Sequence, residues 1–197
     1  MRNPAKLVLI NIRASLKIGI SLGKIGILFG FLFGVVSVPA QGAIYGFAEF
    51  DPGLYRGSHP DSQADFEILK RAKIKTILSL QWTDPSTLPE KEQATLNQIT
   101  YINIPFSYVL PSREHMVEIL GHLQNDSLKP LYLHCRQGRD RTGLAVAMYR
   151  IHVQNGNADT AYDEMIRFNF NWGLQWVLHL FFEFYKTPGS LLAPVTN

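Results

Sequence analysis

The chain has 197 residues, 46% hydrophobic and 18% charged, enough for one packed domain and an appendage. A single cysteine excludes an internal disulfide framework, and the six histidines show no spacing that suggests a zinc site. Five cations and no acid fall in the first 40 residues, leaving 14 cations against 16 acids beyond them. The pI near 9 is therefore no sign of a nucleic-acid-binding face on the folded part.

Arg2, Lys6, Arg13, Lys17 and Lys24 lead into an uncharged apolar run, residues 25–38, with small residues at Val38 and Ala40. A basic region, an apolar core and a small-residue cleavage site form a secretory signal peptide. Extended back past Lys24, the run reaches the ~20 residues that a signal-anchor needs. Residues 1–43 are thus read as a signal peptide or signal-anchor. The folded part would then be exported or membrane-anchored on the non-cytoplasmic side, with residues 7–38 in the membrane if uncleaved.

From residue 44 strands and helices alternate. A short strand lies in "GLYRGSHP" (53–60), then a helix in "SQADFEILKRA" (62–72) with Ser62 as N-cap. "KTILSLQ" (75–81) reads as a buried strand and "LPEKEQATLNQ" (88–98) as a helix opening on proline and acids. "TYINIPF" (100–106) is a strand. "SREHMVEILGHLQ" (112–124) is a helix with Met116, Ile119, Leu120 and Leu123 on one side. "PLYLHC" (130–135) is a strand, and "TGLAVAMYRIHVQNG" (142–156) a helix ending at glycine. Two more helices, 157–170 and 172–186, close the domain. In the second, Trp172, Trp176, Leu180 and Phe184 recur every four residues and form the expected core face. The pattern predicts an α/β domain over 44–187, a central, mostly parallel sheet flanked by helices, with 188–197 as a flexible tail.

The chemistry concentrates in "HCRQGRDRTG". Strand 130–135 delivers Cys135 to a loop that runs at once into a helix. Such a loop turns backbone N–H groups toward an anion, helped by the positive end of the helix. Gly138 permits the bend, and Arg141 offers a planar fork for two phosphoryl oxygens. A thiol at a helix N-terminus beside arginine ionises more readily than a free one. Residues Arg136, Gln137, Gly138, Arg139, Asp140, Arg141 and Thr142 would surround a tetrahedral dianion, with a Cys135 thiolate beneath it, poised to attack phosphorus. Arg136 and Arg139 would draw highly anionic substrates.

With "LYRGSHP", "IKTILSL" and "YINIPF" in matching order, "HCRQGRDRTG" resembles the signature loop of cysteine-dependent tyrosine phosphatases of the atypical dual-specificity group, over about 110 residues. The resemblance implies phosphomonoester hydrolysis through phosphocysteine on Cys135, with no metal and no cofactor. It implies that Arg141 binds the phosphoryl group, that Thr142 donates to the thiolate and that His134 orders the loop from behind. The substrate would be a phosphorylated protein, or alternatively an inositol phosphate or phosphoinositide. Further alternatives are a sulfurtransferase and a phosphate-binding module without turnover.

One part of the pattern is missing. The general acid is usually an aspartate after the "IPF"-like strand, but "SYVLPSRE" (107–114) offers only Glu114. Asp84 in "WTDPS" sits on another connection. Asp140, inside the loop itself, is the expected acid; the alternative is a salt bridge bracing Arg139 or Arg141.

Overall fold

A computed structural model describes residues 43–82, 88–109, 111–173 and 175–192. The apolar run at 25–38, Asp84 and residues 193–197 lie outside the described residues. Five strands form one sheet: β1 (Ala48–Asp51), β2 (Leu54–Gly57), β3 (Thr76–Ser79), β4 (Thr100–Asn103) and β5 (Leu131–His134), in the order β1-β2-β5-β3-β4. Only the β1–β2 pairing is antiparallel; β2, β5, β3 and β4 run parallel. β5, which carries the cysteine, lies at the centre with all four residues buried. β1 is a strand that the sequence reading missed, because "AEFD" offers one buried apolar residue and no alternation.

Among the described residues six α-helices accompany the sheet: α1 (Gln63–Arg71), α2 (Leu88–Leu96), α3 (Arg113–Gln124), α4 (Asp140–His152), α5 (Ala158–Arg167) and α6 (Trp176–Tyr185). Ser62 caps α1 in a reciprocal box with Asp65, and Ser112 caps α3. Strand alternation sorts the side chains into two cores. Leu78, Leu131, Leu133 and Cys135 join α3, α4, α5 and α6 in the larger one. Ile77 and Tyr132 join Phe66 and Leu69 of α1 and Ala94 of α2 in the smaller. The same parity puts His134 with Tyr132, on the face opposite Cys135.

Three boundaries differ from the sequence reading. α4 starts at Asp140, not Thr142, so Asp140 and Arg141 lie in its first turn. α6 starts at Trp176, and its core face is Leu178, Phe181 and Phe182. Trp172, Trp176, Leu180 and Phe184 are exposed, correcting the expected core face. Steps of four drift about 40° each around a 3.6-residue helix, whereas 178, 181, 182 and 185 hold one stripe. Finally, the segment read as a tail from 188 is partly core: Leu191 is fully buried, and the Gly189 N–H donates to His152 Nδ1.

Candidate active site

Cys135 is fully buried just beyond the end of β5, and α4 begins five residues on. Its N-cap, Arg139, makes no side-chain cap bond, so no side chain at that position takes up the positive end of α4. Gly138 has φ of 67°, and a Cβ there would run into the backbone of Gly57 and Ser58. Both its conformation and its closeness to β2 therefore require glycine. Arg136 O accepts from the His59 N–H at 3.2 Å, a second tie between the loop and the end of β2.

Arg141 is buried. Its Nη1 donates to Leu80 O at 2.8 Å and Phe106 O at 3.4 Å, the carbonyls just past β3 and β4. Its guanidinium carbon lies 4.3 Å from the centre of the Tyr108 ring. Nε remains buried without a hydrogen bond. An orphaned charged donor beside an uncapped helix is what an anion would satisfy. The Thr142 hydroxyl is likewise buried and unpartnered, one turn into α4. The Tyr108 phenol is pushed up by burial and by Cys135, against the pull of Arg141, so it stays protonated as a wall of the site.

Asp140 is almost fully buried, and its Oδ1 accepts from the Asn171 backbone N–H at 3.0 Å. That contact ties the signature loop to the turn before α6; it is not the arginine brace weighed above. Glu114 is exposed, with its Oε2 accepting from the Ser112 hydroxyl at 2.9 Å. Arg136 pairs with Asp61 at 3.3 Å and Arg139 donates to Gln137 Oε1 at 2.5 Å. These residues, with Tyr45 and Ser58, line an open cleft of about 340 Å3 beside the loop.

The sequence reading missed four residues behind this loop. Arg56 of β2 is fully buried, donates from Nη2 to Gly138 O at 3.1 Å and lies over the Phe168 ring at 3.8 Å. Burial lowers its pKa to about 10, while Glu164 and Cys135 act in the other direction, so it remains a cation at neutral pH. Glu90 of α2, His59 and Gln81 form a buried polar cluster with His134. The available signal was a charge inside an apolar strand and an acid in a helix first turn, which capping alone explained.

The fold and loop define a class, and the match to the tyrosine phosphatase family over residues 43–193 makes it explicit: the chain belongs to that family. Among relatives, it is 31% identical over 122 residues to the dual specificity protein phosphatase TpbA of Pseudomonas aeruginosa, covering 60% of this chain and 52% of that protein. It is also 31% identical over 126 residues to the inositol diphosphatase SIW14 of Saccharomyces cerevisiae, covering 59% and 43%. The chain thus spans about half the length of the curated relatives it matches. Among solved structures, the SIW14 catalytic core in complex with citrate superposes with a TM-score of 0.63 at 25% identity, over 72% of this chain and 86% of that one. For TpbA the TM-score is 0.62 at 25% identity, over 74% and 91%.

Proposed function

We propose that this domain hydrolyses phosphomonoesters through a covalent phosphocysteine on Cys135. The observation that carries the reading is the placement of Arg141. One nitrogen is fixed to two strand-end carbonyls, while Nε is buried and unsatisfied at the uncapped start of the helix that follows Cys135. In this reading the phosphate dianion satisfies that donor and the loop amides. The Cys135 sulfur attacks phosphorus, the S–P bond forms and the P–O bond to the leaving group breaks. Water then cleaves S–P, releasing inorganic phosphate and regenerating the thiolate, with Thr142 supplying a hydroxyl for it. Gly138, Gln137 and the Arg139 backbone complete the cradle. Asp140 protonates the leaving oxygen in this account. It is the carboxylate inside the loop, whereas Glu114 faces solvent.

A phosphorylated protein side chain is the first substrate reading, in line with the dual-specificity relatives. An inositol phosphate is the second, favoured by the cleft that Arg136 and Arg139 line beside the loop and by the inositol diphosphatase relatives. For localisation, residues 1–43 are proposed as an exporting or anchoring segment from their sequence alone. Among the described residues no helix is long and apolar enough to cross a membrane. Fractionation of cells making the full chain tests this: intact protein in the soluble cytoplasmic fraction refutes it.

The test of the activity is a turnover screen of phosphotyrosine and phosphoserine peptides, inositol phosphates, phosphoinositides and para-nitrophenyl phosphate, with Cys135→Ser in parallel. The reading expects turnover that the variant abolishes while phosphate binding persists. Binding without turnover in the native chain would instead mark a phosphate-binding module, and thiosulfate-dependent cyanide conversion a sulfurtransferase.

A further inference from the structure

Behind the signature loop, on the sheet face away from Cys135, lies a buried carboxylate that the mechanism above does not use. Glu90 is 2% exposed, in the first turn of α2. Its Oε1 lies 2.6 Å from His134 Nε2, an ion-pair contact between two buried atoms that have no other polar partner. Its Oε2 faces His59 Nδ1 at 3.2 Å, the Gln81 amide nitrogen at 3.3 Å and the Tyr101 hydroxyl at 3.3 Å. His134 Nδ1 in turn lies 3.2 Å from the carbonyl oxygen of Cys135. Tyr132 stacks on the His134 ring at 5.4 Å, and the His59 ring lies 5.8 Å away. Beyond them, Asp61 reaches His59 Nε2 at 3.6 Å.

The protonation of His134 follows from what its two nitrogens face. A peptide carbonyl can only accept, and so can an ionised carboxylate. A neutral imidazole would turn one lone pair against one of these oxygens in a site without water exposure, which is costly. The doubly protonated ring satisfies both. Burial raises the Glu90 carboxyl, but His134 and then His59 outweigh it and hold it at about 2, so its charge is present throughout the working range. A buried carboxylate is tolerated only when paired, and here the partner is one peptide unit from the nucleophile.

We propose that Glu90 is a positioning residue for the reaction: it holds His134 as a buried imidazolium whose Nδ1–H fixes the Cys135 peptide and whose charge favours the neighbouring thiolate. The proposal rests on Cys135 being the nucleophile, but it concerns a charge state that can be read without turnover. Glu90 touches no substrate. It acts through His134, across the sheet, much as a third group orients the base in other nucleophile pairs. The placement explains why an acid is buried in α2 at all, since an apolar residue there would pack more cheaply against the Ile77 and Tyr132 side of the sheet.

The test has two parts. In the native chain, nitrogen-15 NMR of histidine at pH 7.5, assigned with a His134→Gln variant, should show His134 with both ring nitrogens protonated; a neutral His134 overturns the proposal, whatever the activity. In Glu90→Gln, which keeps size and hydrogen bonding but removes charge, the pH midpoint of iodoacetamide alkylation at Cys135 should move up by about one unit. The rate kcat should fall about tenfold at pH 6 with KM little changed, and Glu90→Asp should restore part of both. An unchanged alkylation profile in a folded Glu90→Gln protein, by circular dichroism and phosphate binding, overturns the proposal. If the charged His134 and the alkylation shift are seen but no phosphoester is turned over, the catalytic reading fails and takes with it the role of Glu90 in the reaction, while the charged Glu90–His134 pair itself remains.

Discussion

One nitrogen of Arg141 belongs to the scaffold, tied to Leu80 O and Phe106 O, and its Nε has no protein partner. Lysine keeps the charge but cannot divide itself between strand-end carbonyls and a phosphate, because it has one ammonium instead of a planar fork. Arg141→Lys should therefore lower kcat/KM by at least about 10²-fold, the scale of losing a transition-state donor. Asp140 calls for a finer test, because its Oδ1 also holds the Asn171 N–H. If it donates the proton, Asp140→Asn should cost far more on an alkyl phosphate than on para-nitrophenyl phosphate, whose leaving group hardly needs one. Equal losses on both, with weaker phosphate binding, would reduce Asp140 to a tether between the loop and the turn before α6. Glu114→Gln in parallel should be silent, since that carboxylate lies in solvent.

Elements decided how much was legible. The parallel strands announced themselves as apolar runs, and serine caps marked α1 and α3. The signature loop was legible because its glycine, arginines and cysteine occupy one stretch of chain. The polar layer behind it was not: Arg56, His59, Gln81 and Glu90 come from three separate segments, and only strand pairing brings them beneath the loop. β1 escaped because an edge strand with one buried residue carries no period. α6 misled because every fourth residue is aromatic or leucine, yet those positions face out. Phe181→Ala should then destabilise by about 3–5 kcal/mol in urea unfolding, while Phe184→Gln should stay within about 0.5 kcal/mol of the native chain. The opposite ranking would restore the face expected from sequence. At the loop, Gly138→Ala should abolish turnover, because strain at a positive φ and collision with the backbone of Gly57, the last residue of β2, push the loop away from the strand end. Circular dichroism close to that of the native chain would show that the change stays local.

Across the whole molecule, the buried pair makes stability depend on acid. Glu90 titrates near an ordinary 4.5 when unfolded and is held at about 2 when folded. The unfolded chain thus takes up the proton first. The stabilisation is complete above about pH 4.5 and is lost as pH falls toward 2, on the order of 3 kcal/mol in all. Urea midpoints measured from pH 6 down to pH 2.5 should fall steeply for the native chain and more gently for Glu90→Gln; parallel curves would remove Glu90 from the acid transition.

The proposed chemistry turns on a covalent bond between phosphorus and Cys135, the chain's single cysteine. Rapid quenching of the enzyme in denaturant during turnover of para-nitrophenyl phosphate, followed by peptide mass spectrometry, reads that bond directly. One phosphoryl group is expected on the peptide that contains Cys135, appearing at the rate of the nitrophenolate burst and absent from Cys135→Ser. Steady turnover with the phosphoryl group on another residue, or a Cys135→Ser chain that keeps turning over within about tenfold of the native rate, would contradict it.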